Sequence, residues 1–359
     1  MLRVDVAAGT HRYPIYIEHG LTAQLGRLAD AARPGTRLFF ISSPHVWKLH
    51  GKAIRSSIPR AEPILLPDGE RFKQLATVSR AYESLIKLQA DRGATIVAVG
   101  GGVVGDMAGF IAATYLRGVG LIQVPTTLLA QVDSSIGGKV GVNHALGKNL
   151  IGAFYHPSFV AIDPGLLETL PRREFRSGLY EVIKYGMTSS RDLFDRIVRD
   201  VDAIFAKKPE ALVPVIGEAC AIKAAVVSED EKEKGMRRVL NFGHTAGHAL
   251  EAVTKYRRFL HGEAVAYGML TAAELAVARG AMPDEDRQKL SKILMHLGPL
   301  PPVADLSTRE VLQAVKHDKK IVDGTLHYVL STKIGSWTTV SDVAEEELGR
   351  ALRNIGLRK

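Results

Sequence analysis

Short β-branched runs alternate with amphipathic stretches from residue 2 to about residue 125, and this alternation narrows the folds open to the 359-residue chain more than any other feature. Strands are expected over Arg3–Ala7, Tyr13–Ile17, Arg37–Ser42, Glu62–Leu66, Thr95–Val99 and Leu121–Val124. Helices fit between them: Leu21–Ala32 stops before Pro34 and Gly35, Val46–Ser56 before Pro59, and Phe72–Gln89 ahead of Gly93. The pattern predicts a mostly parallel, doubly wound, Rossmann-like α/β sheet opened by a hairpin. After a further strand within 157–164, the punctuation Ile162-Asp163-Pro164-Gly165 marks the expected boundary. Beyond it the chain reads mainly α-helical, over Arg173–Tyr185, Glu210–Val227, Glu263–Arg279 and Asp284–Leu297, with later helices reaching Lys316 and Asn354 and a short strand at Leu326–Ser331. Two domains are therefore expected, 1–163 and 164–359, as suits a chain of this length.

Composition sets limits on partners. Hydrophobic residues at 46% and charged residues at 24% are those of a globular protein able to bury a large core. The first residues lack the basic-then-apolar order of a secretion signal, and the apolar window Ala94–Ala113 is broken by glycines and Asp106, so no membrane span is expected. The single cysteine, Cys220, excludes an intrachain disulfide and suits a reducing, cytoplasmic setting. A formal net charge of +9 is spread along the chain without basic runs, which argues against nucleic acid and leaves an anionic metabolite as the better use of the field.

Four stretches carry chemistry-bearing residues. Gly100-Gly101-Gly102-Val103-Val104-Gly105-Asp106 follows the fifth expected strand, where glycines let backbone N–H groups meet a phosphate at a helix start. It departs from the usual dinucleotide fingerprint, since no acidic residue follows about twenty positions on. Upstream, Asp68-Gly69-Glu70-Arg71-Phe72-Lys73 is a second turn entering a helix. Asp133 to Asn149 is polar and glycine-rich and contains Lys139 and Lys148, a composition suited to close backbone approach to an anion. It is not a nucleotide-triphosphate loop, because Asn149 stands where serine or threonine is required. Glu181 and Lys184, at i and i+3, have the spacing of a surface ion pair. Finally, Asn241-Phe-Gly-His244-Thr-Ala-Gly-His248 precedes His261-Gly262-Glu263, and three glycine-flanked imidazoles so close in sequence make a metal site the first hypothesis.

Taken in order, these motifs resemble the 3-dehydroquinate synthase family of the sugar phosphate cyclase group, from about residue 37 to residue 333. The resemblance implies an N-terminal NAD-binding α/β domain, a C-terminal helical domain holding zinc or cobalt, an active site in the cleft between them, and a homodimer. It implies that Glu181, His244 and His261 hold the metal and that His248 is a substrate-facing partner moving protons. Lys139, Lys148, Asn149, Asp133, Lys184, Lys223, Arg237 and Asn241 match positions around the substrate, as does the late pair Lys319-Lys320. Catalytic roles fall on His248, Lys139, Asp133, Lys184 and Asn241. Arg117 matches an arginine that reaches the phosphate in the neighbouring subunit. For NAD the matching positions are Asp68, Gly69, Glu70, Arg71, Phe72, Lys73, Gly101, Gly102, Val103, Val104, Gly105, Asp106, Thr126, Thr127, Lys139, Lys148, Leu166, Leu167, Glu168 and Thr169. Ser43 and His45 stand where the family commonly has an aspartate and an asparagine, and Leu166 where an aromatic is frequent.

The reaction so implied turns an anionic sugar phosphate, 3-deoxy-D-arabino-heptulosonate 7-phosphate, into 3-dehydroquinate and phosphate by NAD-mediated transient oxidation, elimination, reduction and aldol closure. A substrate with a carboxylate and a phosphate calls for several fixed cations, and proton movement calls for a group that titrates near neutrality, such as His248. A sibling cyclase, an NAD-dependent polyol dehydrogenase on the same architecture, and a metabolite-binding protein without chemistry are the rivals.

Overall fold

Uninterrupted apolar runs mark the middle of a parallel sheet, because helices cover both of its faces. Thr95–Gly100 and Gly120–Pro125 are buried at every position, whereas the later part of His11–Ile17 alternates. The computed structural model, which describes residues 1–32, 37–233, 235–316, 321–322 and 325–359, joins these runs in a seven-stranded sheet. Its first strands are β1 (Leu2–Ala8), β2 (His11–Ile17), β3 (Leu38–Ser42), β4 (Glu62–Leu65), β5 (Thr95–Gly100) and β6 (Gly120–Pro125). An antiparallel hairpin, β7 (Lys139–His144) and β8 (Gly147–Phe154), then precedes the last sheet strand, β9 (Phe159–Ile162).

The order across the sheet is β1-β2-β9-β6-β5-β3-β4, with β1 antiparallel to β2 and the remaining neighbours parallel. The chain winds outward from β3 to β4, returns to β5 and continues the other way, so the switch point lies between β3 and β5. At that point the turn after β3 carries Ser43, and the turn after β5 carries Gly101. One face is covered by α3 (Leu75–Lys87) and α4 (Gly102–Thr114), with Met107 and Ile111 packing among Phe39, Ile96 and Leu121. The other takes α1 (Leu25–Ala32) and α2 (Pro44–Ser57), with Leu25 and Ile54 against Phe40, Val97 and Ile122. Ser43 caps α2, its Oγ accepting the Val46 N–H at 3.3 Å.

The expected boundary between residues 163 and 164 needs correction. One unit comprises Met1–Pro171 together with Ala203–Glu231, the other Arg172–Asp202 together with Lys232–Lys359. After α5 (Arg172–Ser189) and α6 (Arg191–Phe205), an element no sequence signal marked, the chain returns to the first unit as α7 (Pro209–Glu229). This helix is long and apolar enough to cross a membrane by composition. It uses that surface on β1 and on the turn Ala130–Ser134. A Cβ added at Gly217 would stand 2.2 Å from Leu2 Cδ2, and the Cys220 thiol donates to the Gln131 carbonyl at 3.4 Å. Burial pushes the Cys220 thiol up to about 12, as expected of an inert packing cysteine.

The second unit is mainly helical: α5, then α8 (His244–Val253), α9 (His261–Ala278), α10 (Asp284–His296), α11 (Thr308–Lys316) and α12 (Glu345–Asn354), with a hairpin of Tyr328–Lys333 and Ser336–Val340. At its centre is α9, which packs on α5, α8, α10 and α12. Glycines let α8 and α9 touch backbone to backbone, since a Cβ at Gly268 would stand 1.7 Å from the Gly243 carbonyl oxygen. Gly243 itself sits at φ 78, where a side chain is strained. Gly268→Ala should therefore cost about 3 kcal/mol or more through overpacking, read as a fall in melting temperature. An unchanged melting temperature would show that the two helices can part without penalty.

Candidate active site

Along α5, Arg173, Ser177, Glu181 and Lys184 are spaced by four, four and three residues and so share one face. Glu181 is fully buried, and neither of its carboxylate oxygens takes a hydrogen bond. The buried Lys184 Nζ stands 2.5 Å from Oε2 as an ion pair outside hydrogen-bond alignment. The sequence spacing of a surface ion pair is thus realised in the interior, where burial of a carboxylate calls for further partners.

Two imidazoles face that carboxylate. His244 opens α8, and its Nδ1 lies 3.1 Å from the Phe242 carbonyl. A carbonyl only accepts, so Nδ1 carries the proton, and in the neutral ring Nε2, 3.8 Å from Glu181 Oε1, keeps its lone pair. His261 opens α9. Its Nδ1 lies 3.4 Å from Glu251 Oε2, which fixes the same tautomer and turns Nε2 to Glu181 Oε1 at 3.6 Å. One carboxylate and two lone pairs thus converge, and Glu181, His244 and His261 offer ligand atoms all within 4.8 Å of one another. The donor chemistry fits a divalent zinc-like ion, and the unbonded Glu181 oxygens are the groups such an ion would satisfy.

A second grouping, His248 with Glu251 and His261, meets the same distance limit. It fits less well, because Glu251 Oε2 already accepts from His261 Nδ1, the arrangement that orients a ligating histidine from behind. The His248 ring stands 5.4 Å from that of His244 and 5.9 Å from that of His261, beside the three-donor set. In the turn before α8, Arg237 is buried and Asn241 Nδ2 donates to Glu233 Oε1 at 2.8 Å. Next to His261, Glu263 is fully buried. Burial alone would raise its carboxyl, but hydrogen bonds from Arg173 and the Leu260 N–H, with the charges of Arg173 and Arg176, hold it below the ordinary carboxylate range.

The first unit gathers a different set. Lys73 Nζ, nearly buried, donates to Asp106 Oδ2 at 2.5 Å and to Asn149 Oδ1 at 2.6 Å. Burial pushes the Asp106 carboxyl up against the opposing pull of Lys73. Asn143 donates to Glu70 Oε1 at 2.8 Å and accepts the Asn149 N–H at 2.9 Å, while Lys148 Nζ lies 3.9 Å from Glu70. Glu70 and Lys73, Asp106 in α4, and Asn143, Lys148 and Asn149 of the β7–β8 hairpin are therefore one polar assembly. Gly101 and Gly102 back onto Thr127 and Ser134, where an added Cβ would come within 3.0 and 3.1 Å, while Val103, Val104 and Gly105 form the first turn of α4. The Thr126 N–H donates to the Gly100 carbonyl at 2.9 Å, closing the strand ends. Lys223 on α7 pairs with Asp133, both through its carboxylate and through its backbone carbonyl.

Several expected positions stand apart from these sets. Lys139, which begins β7, is exposed. Asp68 accepts from the His45 N–H at 3.3 Å. Leu166 to Thr169 form a 3-10 turn in which Thr169 Oγ1 lies 2.9 Å from His50 Nε2 and Glu168 lies 3.4 Å from His19. Arg117 occupies a turn whose three residues Leu116, Arg117 and Gly118 all have positive φ, a costly conformation for the first two. Lys319 and Lys320 lie outside the described residues. Sequence reasoning missed Glu251 and Glu233. Glu251, at i+3 from His248 on one helix face, carried a weak signal, and Glu233, inside a charged run, carried none.

Comparison with known proteins gives two adjoining family matches: the 3-dehydroquinate synthase N-terminal family over residues 63–177 and the 3-dehydroquinate synthase C-terminal family over residues 178–321. The chain is 43% identical to the 3-dehydroquinate synthase of Geotalea uraniireducens (strain Rf4) over 351 residues, covering 96% of this chain and 98% of that protein. Among solved structures it resembles 2-epi-5-epi-valiolone synthase from Streptomyces hygroscopicus subsp. jinggangensis 5008 with NAD+ and Zn2+ bound, at TM-score 0.87 and 29% identity over 97% and 98% of the two chains. It resembles equally 2-deoxy-scyllo-inosose synthase complexed with carbaglucose-6-phosphate, NAD+ and Co2+, at TM-score 0.87 and 27% identity over 98% of this chain and 100% of the other. For the metal-free protein, long-range 15N–1H correlation spectra should show His244 and His261 both protonated at Nδ1 in the neutral form. An Nε2–H tautomer at either would contradict the convergence on Glu181.

Proposed function

Because the chain belongs to the 3-dehydroquinate synthase family, we propose that it converts 3-deoxy-D-arabino-heptulosonate 7-phosphate to 3-dehydroquinate and phosphate, using NAD and one divalent metal, zinc or cobalt. The observation that carries the metal assignment is the fully buried Glu181, whose oxygens lack hydrogen bonds and face two Nε2 lone pairs. Bound there, the ion would supply Lewis acidity to substrate oxygens, and NAD would supply a reversible hydride acceptor.

The remaining roles belong to side chains. In the second unit, Lys184 and Arg237 are buried cations suited to a substrate anion, Asn241 orients a hydroxyl or carboxylate, and His248, beside the metal set, moves protons. Lys184 has a second part, offsetting the single negative charge that Glu181 brings into the interior. In the first unit, Lys139, Lys148, Asn149 and Lys223 with Asp133 are the anion- and hydroxyl-binding candidates. Asp68 to Lys73, Gly101 to Asp106, Thr126, Thr127 and Leu166 to Thr169 are assigned to NAD, together with Lys139 and Lys148. The position of the switch point between β3 and β5, beside the Gly101 turn, supports that assignment. Ser43 serves as a helix cap, so its side chain is already engaged at the end of β3.

The single buried cysteine supports action in the reducing cytoplasm. Action as a homodimer, with Arg117 serving the partner, is favoured by the resemblance and by exposed apolar side chains at Leu116, Leu146, Leu150 and Phe154. Phosphate release from the heptulosonate, followed with less NAD than substrate, tests the proposal. Many phosphates per NAD are expected without lasting NADH absorbance. Chelation should stop release, and zinc or cobalt should restore it. Accumulating NADH with a simple polyol, and no phosphate from the heptulosonate, would establish a dehydrogenase instead.

A further inference from the structure

His261 stands in the first turn of α9, where the backbone N–H groups have no intrahelical partners. Contacts from outside the helix must therefore fix where its ring points. Glu251 on α8 holds the ring itself, and the turn that carries it is held by α5, the helix that carries Glu181. Ser177 Oγ accepts the Gly262 N–H at 3.1 Å, and a Cβ at Gly262 would stand 1.9 Å from the Ser177 carbonyl oxygen, so the two backbones touch. Arg173 grips the next residue: its Nε donates to Glu263 Oε1 at 2.8 Å and its Nη2 to Oε2 at 2.7 Å. Arg176 Nη2 adds a third bond to Oε1 at 3.4 Å, and Oε2 also accepts the Leu260 N–H at 2.9 Å.

We propose that Glu263, clamped by Arg173 and Arg176, is a positioning residue that locks the first turn of α9 onto α5 so that His261 Nε2 meets Glu181 at the metal. The inference rests on the metal assignment made above. Its geometric basis is the shared stripe of α5: Arg173 and Ser177 hold the helix start, and Glu181, one turn beyond Ser177, faces the ring that start presents. A two-pronged arginine–carboxylate contact fixes orientation as well as distance, which a single point charge would not. A pair that served folding alone would set the stability of the metal-free protein and leave metal affinity untouched.

Equilibrium dialysis of the full chain against zinc, with metal analysis and melting of the metal-free protein, separates these roles. The parent should hold one zinc per chain and His261→Ala none. A parent without zinc would overturn the metal assignment itself. Glu263→Gln and Arg173→Met should each weaken zinc binding by about 10- to 100-fold, the range for partners behind a ligand. Arg173 is 52% exposed, so its variant carries the test if Glu263→Gln does not fold. A zinc-loading parent with zinc affinity unchanged in the folded variants, whatever their melting temperature, would overturn this inference alone.

Discussion

A buried carboxylate with no hydrogen bonds is among the most expensive groups a protein interior can hold, and Glu181 is one. Its cost is offset in part by Lys184, but a single ammonium outside hydrogen-bond alignment leaves both oxygens with unused lone pairs. The two imidazoles facing it, held through Nδ1, are acceptors at Nε2 in their neutral form, so in that form they add lone pairs and remove none. An electron-poor centre between the three satisfies all of them together. Much of the second unit can be understood as the framework this arrangement demands.

That framework is built by close approach. His244 and His261 each open a helix, and the helices behind them are brought together by Gly243, Gly247 and Gly268, positions where a methyl group would meet backbone. A third helix, α5, meets the start of α9 through Gly262, and the same face of α5 then delivers Glu181 and Lys184. Behind the rings, the Phe242 carbonyl and Glu251 hold both tautomers. Ligand, orienting acceptor and glycine contact are therefore features of one short stretch, 241–268, read against one stripe of α5. The first unit uses glycine differently, to clear the turn after β5 against Thr127 and Ser134.

The local pattern made the sheet legible. Runs such as Thr-Ile-Val-Ala-Val at residues 95–99 can only be strands buried on both sides, and the expected strands of the first unit fall within a few residues of those observed. The excursion of the chain was not legible: α7 looks like one more helix of the second unit, and its place against β1 depends on contacts of Gly217 and Cys220 with residues far off in sequence. The β7–β8 hairpin was hidden for a related reason, since its glycines and asparagines mimic a loop while Asn143 and Asn149 serve a network with Glu70 and Lys73. At the site, spacing offered three histidines without ranking them. Their approach to Glu181 separates them: His244 and His261 turn Nε2 to it, held by a carbonyl two residues back and a glutamate on the neighbouring helix, neither of which periodicity can report.

X-ray absorption of the zinc-loaded protein addresses the central claim most directly, because it counts the ligands themselves. Two imidazole nitrogens and one carboxylate from the chain are expected at about 2.0–2.2 Å, with the remaining positions open to solvent or substrate. The carboxylate contribution should vanish in Glu181→Gln. Three imidazoles around the ion, or a spectrum unchanged by Glu181→Gln, would contradict the account.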